Sequence, residues 1–288
     1  MTVLSILGAG RIGGEVAFLS AATGVADEIN LYDLDNSLLE AQRLDLLHTG
    51  LNTIIDTDPG NIKNSDIILF AAGMPRNPQI KTRADLLDVN IKVASECLNY
   101  IRGFEGIFIT VTNPMDALNY YFCTKGGIEK SRCIGFGGQL DTRRYELFLK
   151  EKGISPGKKA QVLGEHGEFQ VPVFSGFETD VSGDLREEIL MMMRNASMPV
   201  IRGKGGTVFG PVMNMIELIR AVADDSRDTI PCSCVPDGEY GISSCSIGVP
   251  AVIGREGIHR IEEIELDEWE RDKMDEAAEH LKALCRRF

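Results

Sequence analysis

Two short stretches of the sequence carry side chains suited to proton transfer and to binding an organic anion. His166 lies in a Gly-Glu-His-Gly stretch, and Asp141 and Arg144 lie upstream in the stretch Gln-Leu-Asp-Thr-Arg-Arg. An imidazole exchanges protons near neutral pH, and a carboxylate bonded to its second nitrogen fixes its tautomer and orientation. A guanidinium offers two parallel donors to a substrate carboxylate. We predict that these side chains form one site, against the alternative of a structural histidine, a helix-start acid and a surface arginine.

A helix predicted from Leu140 to about Glu151 positions two of these side chains. Asp141 falls in its first turn, and Arg144 follows three positions later on the same face. His166 lies outside this helix, so the two halves of the site come from separate segments.

The N-terminal segment has the pattern of a dinucleotide-binding unit. A strand-length apolar run, Thr2 to Leu7, leads into Gly-Ala-Gly-Arg-Ile-Gly, and a helix is predicted from Gly14 to Ala22. Gly8 permits the tight turn, Gly10 lets the backbone approach a pyrophosphate, and Gly13 lets the helix pack on the strand. The pyrophosphate would lie at the helix N-terminus, where backbone N–H groups and the helix dipole favour an anion.

A carboxylate after the second predicted strand makes this pattern more specific than the glycines alone. The strand Glu28 to Tyr32 ends at Asp33, twenty positions beyond Gly13. There it can accept both ribose hydroxyls of an adenosine, and with Asp35 it would repel a 2′-phosphate. We therefore predict NAD rather than NADP, the alternative being an ordinary βαβ unit with a solvated aspartate.

Further buried-type strands, Asp66 to Gly73 and Gly106 to Val111, alternate with predicted helices. This alternation predicts a Rossmann-type, doubly wound parallel sheet with helices on both faces, followed by an α+β substrate-binding and catalytic domain. The predicted division is 1–139 for NAD binding and 140–288 for substrate binding and catalysis. Ligands lie outside the carboxyl ends of parallel strands, where the prediction places four residues: Gly8, Asp33, Gly73 and Asn113.

The segment from Met74 to Arg83 joins a strand end to the next helix, and it carries two prolines and three cations. We interpret it as a loop that closes over the site, with a solvated basic loop as the equal alternative.

The predicted helix from Ser37 to His48 is unusually apolar. Another subunit could cover it, so we expect a homodimer or homotetramer, with His48 an interface or core residue.

In the second half, a helix from Thr207 to Ser226 has Met213 on a face predicted to be core. Antiparallel strands are expected over three ranges: Ile230 to Cys234, Ser243 to Val249, and Ala251 to Ile253. A helix from Asp267 to Phe288 is expected to close the chain. His259 and His280 lie in charged surroundings, and we expect both to be exposed and without a role.

Composition restricts the class of protein. The chain has 288 residues and a net charge of -13, which argues against a nucleic-acid partner but not against a small anion bound by local arginines. No apolar run is long enough to span a bilayer, and no secretory signal is recognisable. Seven cysteines without a CxxC pair predict free thiols, no metal site and a cytoplasmic protein.

These motifs together resemble the lactate/malate dehydrogenase family, most of all its malate-type archaeal and bacterial branch. The resemblance extends over essentially the whole chain in order. It rests on eight segments: Gly8–Gly13, Leu31–Asp33, Ala72–Arg76, Val111–Asp116, Leu140–Arg144, Gly164–Gly167, Lys204–Thr207 and Asp237–Gly241.

The resemblance implies reversible hydride transfer between a 2-hydroxy acid and NAD. His166 would exchange the hydroxyl proton, braced by Asp141, while Arg144 binds the C1 carboxylate. Arg83 would polarise the carbonyl in the transition state, and Asn113 would hold the substrate oxygen. Thr207 is a candidate for the wall of the substrate pocket. The cofactor residues implied are Gly8, Ala9, Gly10, Arg11, Ile12, Gly13, Asp33, Asn90, Val111, Thr112 and Asn113.

Arg76 bears on the choice of substrate. It matches the position where malate-type members carry arginine and lactate-type members a neutral residue. A second guanidinium in a closed pocket requires a second carboxylate, since pyruvate would leave it unpaired. The expected substrates are therefore malate and oxaloacetate. Arg76 and Arg83 are seven positions apart, one more than the family pattern, and Lys81 is the alternative cation for either role.

Three other functions are compatible with parts of the pattern. An L-lactate or other 2-hydroxy-acid dehydrogenase would use the same acid–base pair. NAD-dependent glycosidases share a related fold, but they use a metal with Cys and His ligands, which the sequence does not supply in the right place. A non-catalytic NAD/NADH sensor would keep the fold and lose the catalytic residues, and all of these are present here.

Overall fold

The computed structural model describes residues 1–74 and 82–288, and of Arg83 only the backbone. The helices found in this part of the chain are α1 (Arg11–Ala22), α2 (Asn36–His48), α3 (Arg83–Ile101), α4 (Met115–Lys125), α5 (Gly138–Glu151), α6 (Gly183–Asn195), α7 (Met198–Lys204), α8 (Phe209–Ala223) and α9 (Glu268–Cys285). The strands are β1 (Val3–Leu7), β2 (Glu28–Tyr32), β3 (Ile54–Asp56), β4 (Ile67–Phe70), β5 (Ile107–Thr110), β6 (Cys133–Gly135), β7 (Val162–Gly164), β8 (Gln170–Pro172), β9 (Asp228–Cys234), β10 (Ile247–Gly254) and β11 (Gly257–Ile261).

The N-terminal half forms a parallel sheet with strand order β3-β2-β1-β4-β5-β6. This is the order of the dinucleotide-binding fold, in which the strand sequence reverses beside β1. The strands β4 and β5 are buried along their whole length, as expected where helices cover both faces of a sheet. The predicted Rossmann-type α/β class is confirmed.

The C-terminal half extends the same sheet with antiparallel strands. The strand β9 pairs with β6 at Ser233 and Gly135, then β10, β7 and β8 follow, and β11 pairs with β10. Residue 139 lies inside the first turn of α5, so the predicted division falls within one helix rather than in a linker. The sheet therefore joins the N-terminal half directly to the segments that carry Asp141 and His166.

The core lies on both faces of the central strands. Phe70 of β4, Phe108 of β5 and Phe122 of α4 are fully buried and in mutual ring contact, with centroids 4.5 to 6.5 Å apart. A smaller cluster around Tyr145 and Phe174 fixes α5 against α6 and β7. Because Tyr145 is on the helix that carries Asp141, this packing also fixes the position of Asp141.

Several predicted elements differ from the structure. The strands expected on either side of Pro250 are one strand, β10, which begins at Ile247 and not at Ser243. Pro250 lies opposite Pro231 of β9, so the two residues without an amide hydrogen share one pair position and the ladder continues on either side. On α8 the predicted core face is buried at Ile216, Ile219 and Val222, and only Met213, at the start of that face, is exposed.

The two C-terminal histidines are not exposed as predicted. The His280 side chain is 28% exposed, lies 3.7 Å from Glu165 and stacks on Phe169 with ring centroids 4.4 Å apart. The His259 ring is 19% exposed and lies within hydrogen-bond distance of Arg227. The prediction failed because the residues that contact these rings, Arg227 and the Glu165–Phe169 turn, are distant from them in sequence.

All seven cysteines lie in the described ranges and are free thiols, six of them buried. Of the residues that the structure describes, none belongs to a helix both long and apolar enough to cross a bilayer. Within the same ranges, no three or more His, Cys, Asp and Glu side chains converge in a way that could hold a metal ion.

Candidate active site

His166 and Asp141 are in hydrogen-bond contact. His166 Nδ1 lies 2.6 Å from Asp141 Oδ2, and Asp141 is only 1% exposed. His166 is in the turn between β7 and β8, and Asp141 is in the first turn of α5. Because Nδ1 is bonded to a carboxylate, Nε2 is the nitrogen suited to exchange a proton with a substrate.

Asp141 also accepts hydrogen bonds from other side chains. Arg144 Nη1 donates to Asp141 Oδ1 at 3.1 Å, and the buried Gln170 amide is a further partner. The spacing of Asp141 and Arg144 on one helix face, predicted from the sequence, thus becomes an ion pair. Gln170 was missed by sequence reasoning, since a buried glutamine on a three-residue strand has no distinguishing pattern.

The charges of this pair reinforce one another. Burial opposes ionisation of Asp141, but the imidazole of His166 and the guanidinium of Arg144 outweigh it and lower the pKa of that carboxyl. Burial likewise opposes protonation of His166, but the Asp141 carboxylate outweighs it, with help from Asp116, and raises the pKa of the imidazole. The site therefore favours the ion pair of imidazolium and carboxylate, which is the form that can give a proton to an oxygen.

Gly137 packs directly against the imidazole, a contact that sequence reasoning did not find. A Cβ at this position would lie 2.5 Å from His166 Cγ and 2.9 Å from His166 Cβ. These atoms are at the base of the ring, so the ring could not avoid the clash by moving its tip. The only signal in the sequence is the run Gly-Phe-Gly-Gly immediately before α5.

The glycine-rich loop after β1 has the geometry predicted for it. Gly8 has φ +102°, and a Cβ on Gly13 would lie 1.9 Å from the Gly8 carbonyl oxygen, so both positions require glycine for reasons internal to the protein. Gly10 is different, because a Cβ there would meet no heavy atom within 4 Å. No side chain caps the first turn of α1 beside it. This open space at a helix N-terminus fits the pyrophosphate of a dinucleotide.

Asp33 lies beside this loop at the carboxyl end of β2. Its Oδ2 accepts the Ala9 N–H at 2.8 Å, and its Oδ1 accepts the Asp35 N–H at 3.0 Å. Asp35 itself caps α2, accepting the N–H groups of Ser37 and Leu38. The Asp33 carboxylate is thereby held rigidly where the fold places an adenosine ribose.

Asn90 connects the ends of two strands. Its Oδ1 accepts the Met74 N–H at 2.8 Å, and its Nδ2 donates to the Asn113 carbonyl at 2.7 Å. Thr112 Oγ1 donates to the Ala72 carbonyl at 2.8 Å, and the Val111 N–H donates to Phe70. Asn90, Val111, Thr112 and Asn113 are therefore brought together at the carboxyl edge of the sheet, with Asn90 buried as a tie between backbones.

Arg11 joins the glycine-rich loop to the second half of the chain. Its Nη1 donates to the Lys204 carbonyl at 3.4 Å and lies against Gly206. Thr207 follows this turn directly and is partly buried. Ile12 packs against the main core.

The remaining predicted residues fall in or beside the undescribed segment. Arg76 and Lys81 lie outside the described residues. Arg83 is the first residue of α3, and its side chain is outside the description. The predicted roles of these three cations therefore stay predictions.

The fold and the site define a class before any comparison: a dinucleotide-binding α/β protein with a buried acid–base pair at the carboxyl edge of its sheet. Comparison with known families is specific. The family model for the lactate/malate dehydrogenase NAD binding domain matches residues 2–135, and that for the lactate/malate dehydrogenase alpha/beta C-terminal domain matches residues 138–287. The chain belongs to the lactate/malate dehydrogenase family, and it is accordingly an NAD-dependent oxidoreductase.

Individual relatives cover nearly the whole chain. It is 36% identical over 299 residues to a malate dehydrogenase of Halobacterium salinarum, which covers 98% of each chain. It is 30% identical to L-lactate dehydrogenase 1 of Lactococcus lactis, over 97% of this chain and 92% of that one. The solved malate dehydrogenase of Archaeoglobus fulgidus in complex with NADH superposes with a TM-score of 0.89 at 30% identity, covering 99% of both chains.

Proposed function

We propose that this protein is an NAD-dependent malate dehydrogenase, which interconverts (S)-malate and NAD with oxaloacetate and NADH. The observation that carries the proposal is the buried hydrogen bond of 2.6 Å between His166 and Asp141. This pair is connected to the sheet edge where a dinucleotide binds in this fold. The Asn113 segment leads directly into the helix α4, and α4 contacts the backbone of His166. Relatives named malate dehydrogenase at 31–36% identity support the choice of substrate.

In this mechanism NAD, when bound, accepts a hydride from C2 of malate, and NADH returns it to oxaloacetate in the reverse direction. His166 Nε2 takes the C2 hydroxyl proton as the C–H bond breaks, so the alcohol carbon becomes a carbonyl. Asp141 holds the tautomer and stabilises the imidazolium that results. In reduction of oxaloacetate the same nitrogen gives the proton back to the oxygen.

Arginine and amide groups would orient the substrate. Arg144 has five N–H donors, so its bond to Asp141 leaves capacity for the C1 carboxylate beside the imidazole. The Asn113 side chain is assigned to the substrate oxygen. Arg83 is assigned to polarising the carbonyl, and Thr207 to the pocket wall, both by the family pattern.

We assign Arg76 to the second carboxylate of malate. A guanidinium in a closed pocket costs several kcal/mol when it lacks a counter-ion, which disfavours pyruvate and lactate. The relative named L-lactate dehydrogenase supports the alternative that this chain reduces pyruvate or another 2-oxo acid. A third candidate, a non-catalytic NAD/NADH sensor, is disfavoured by the intact His166–Asp141 pair.

For the cofactor we propose NAD in preference to NADP. The Asp33 carboxylate is fixed by two backbone N–H groups at 2.8 and 3.0 Å, so it cannot swing away from a 2′-phosphate. No cation is among its hydrogen-bond partners in the described part of the chain, and repulsion is therefore the expected result. A wild-type enzyme that used NADPH as well as NADH would contradict this assignment.

We infer that the active form is a homodimer or homotetramer. Leu44 and Leu47 of α2 are exposed, as are Phe18 of α1 and Phe209 of α8, and α2 and α8 both pack against α1. Such an apolar surface calls for a partner, and a second copy of the chain is the partner we propose. Multi-angle light scattering that gave only the monomer mass at micromolar concentration would contradict this. We also propose that the reaction takes place in the cytoplasm and belongs to the tricarboxylic acid cycle.

The experiment that tests the proposal is a matrix of initial rates. Oxaloacetate, pyruvate and two further 2-oxo acids are each supplied with NADH and with NADPH, and disappearance of the reduced nucleotide is followed at 340 nm. We expect oxaloacetate with NADH to give a kcat/KM at least about tenfold above every other pair. Highest activity on pyruvate would replace malate by lactate, and no turnover of any acid despite NADH binding would favour the sensor.

Two variants connect these rates to the residues. His166→Asn should lower the turnover rate by at least about 100-fold and leave the Kd of NADH nearly unchanged, because the imidazole acts on the substrate proton. Arg76→Gln should lose oxaloacetate activity and gain on pyruvate. Unchanged selectivity in Arg76→Gln would move the role to Lys81.

A further inference from the structure

A second carboxylate lies behind His166, on the helix that follows the Asn113 segment. Asp116 is the second residue of α4 and is 2% exposed. Its Oδ2 accepts the backbone N–H of His166 at 2.9 Å, and its Oδ1 accepts the Ser233 hydroxyl at 2.6 Å. Asp141 therefore contacts the ring of His166, whereas Asp116 contacts its main chain.

The hydrogen-bond network behind Asp116 is closed and buried. Ser233 Oγ lies 2.7 Å from Ser246 Oγ, and Asn119 Nδ2 donates to Ser246 at 2.9 Å. Asn119 Oδ1 in turn accepts from Thr110 at 3.1 Å. A chain of this length, with every member buried, holds the Asp116 carboxylate in one orientation.

The sheet leaves room for this network through one row of residues. Across β6, β9, β10 and β7 the paired residues are Gly135, Ser233, Gly248 and Gly164. Ser233 is the only member of the row with a side chain, and it points at Asp116. A Cβ on Gly135 would lie 2.2 Å from Met115 Sδ and 2.6 Å from Ser233 Cβ, so the row cannot hold larger residues.

We propose that Asp116 is a positioning residue for the reaction: it fixes the main chain of His166 and places a second anionic charge behind the imidazole, and Ser233 keeps it in its charged form. This inference rests on the proposed function, in which His166 carries the substrate proton. It differs from the role of Asp141, which touches the ring and sets its tautomer.

The electrostatics agree with this geometry. Burial raises the pKa of Asp116 to about 6, and the Glu165 carboxylate adds to this, while the Ser233 hydroxyl and His166 act in the opposite direction. Asp116 is therefore an anion at neutral pH. The charge of Asp116 is among the influences that raise the pKa of His166.

Other titratable groups around the pair must be counted as well. Asp141 and Arg144 face His166 from α5, and Glu165 precedes it in its own turn. His280 of α9 lies 3.7 Å from Glu165. The thiols of Cys245 and Cys285 are close enough to Asp116 for its charge to raise their pKa values, and burial holds both thiols neutral.

The test is a proton titration of His166 itself, without substrate. The protein has four histidines, so ¹⁵N-histidine NMR of the full chain is simple, and His166→Asn identifies the resonance. Asp116→Asn keeps the acceptor for the backbone N–H and removes the charge. We expect the His166 midpoint to fall by roughly half to one pH unit in this variant.

A second variant and a matched control separate charge from structure. Ser233→Ala removes the hydrogen bond that keeps Asp116 ionised, so the His166 midpoint should fall by less than in Asp116→Asn. Asp237→Asn removes an exposed carboxylate paired with Lys130 and should leave the midpoint unchanged. The midpoint in the pH profile of kcat/KM for oxaloacetate reduction should shift in the same direction as the NMR midpoint in each variant.

A folded Asp116→Asn with the wild-type midpoint would overturn the proposal, because the carboxylate would then act only as structure. If that variant does not fold, an unchanged midpoint in Ser233→Ala has the same meaning. The titration needs no turnover, so a wild-type protein inactive on every 2-oxo acid would refute the proposed function while the midpoint still tested Asp116.

Discussion

Asp141 accepts hydrogen bonds from His166 and Arg144 at a position that is 1% exposed, and the nearby Gln170 amide also lowers the pKa of its carboxyl. A buried carboxylate needs such compensation, because an isolated charge in the interior costs far more than a paired one. Arg144 and His166 fix the carboxylate, and the carboxylate fixes the imidazole. At the scale of single residues, the site therefore combines one contact within a helix turn, Asp141 with Arg144, and one between residues 25 positions apart, Asp141 with His166.

Gly137 permits the first prediction at this scale. In Gly137→Ala the new methyl would lie 2.5 Å from His166 Cγ. The base of the ring must then shift by about 1 Å to reach van der Waals separation. A displacement of about 1 Å can lower the rate by roughly 100-fold, so we expect kcat to fall by that order and the Kd of NADH to change little. Steady-state kinetics and NADH fluorescence titration measure the two quantities.

The control for this variant is Gly183→Ala. Gly183 is the first residue of α6, and a Cβ there would meet no heavy atom within 4 Å. It should keep wild-type kinetics. Equal kcat values for Gly137→Ala and Gly183→Ala would show that the ring tolerates the methyl and that the contact is not required.

At the scale of elements, β1, the glycine-rich loop and α1 form the cofactor-binding unit. Gly8 and Gly13 are required by the turn and by close packing, and Gly10 has no such internal reason. Asp33 at the end of β2 is bonded to the same loop. The loop and the strand end therefore form one rigid surface.

This difference among the glycines gives the second prediction. Gly10→Ala should fold with an unchanged Tm, since its Cβ meets only open space and its φ of -70° suits alanine. It should weaken NADH binding by about tenfold or more, equivalent to ~1.4 kcal/mol, because the methyl occupies the space of the pyrophosphate. Thermal unfolding and fluorescence titration are the measurements. Wild-type affinity would mean that the pyrophosphate lies elsewhere, and a lowered Tm would mean that Gly10 is structural.

At the scale of the whole molecule, the site joins two halves that share one sheet. Because β6 pairs with β9, the turn that carries His166 and the helix that carries Asp141 are built on the same framework as the cofactor unit. Arg11 and the Lys204–Gly206 turn form a second connection between the halves. The ion pair at the centre should therefore contribute to the stability of the entire fold.

The third prediction concerns this contribution as a function of pH. The lowered pKa of Asp141 stabilises the fold above its unfolded pKa of about 3.9, and this is lost as the pH falls through the folded value. The raised pKa of His166 stabilises the fold below its unfolded pKa of about 6.5, and this is lost as the pH rises through the folded value. The coupling between the two residues should thus be greatest between about pH 4 and 6.5.

A double-mutant cycle measures that coupling. The free energy of unfolding is determined for wild type, Asp141→Asn, His166→Asn and the double variant across the pH range. The coupling energy should decrease at pH values outside this window. A coupling energy of the same size above the window, at alkaline pH, would show that the contact is not an ion pair in the folded state.

The sequence determined much of the first half of the molecule. The bounds of β2 and the alternation of strands with helices follow from local apolar runs and glycine turns, which act over a few residues. The pairing of Asp141 with Arg144 follows in the same way, because three positions along a helix bring two side chains to one face. His166 could be named from its motif, although not placed.

Tertiary structure alone decided which distant groups surround that histidine. Gly137, Asp116 and Gln170 approach the site from separate elements, and Ser233 bonds to Asp116 from β9; none of these contacts has a local pattern. The continuity of β10 through Pro250 and the covering of His280 by Phe169 are of the same kind. A local pattern reports only neighbours within a turn or a strand, whereas burial and hydrogen bonding depend on which elements the packed sheet brings together.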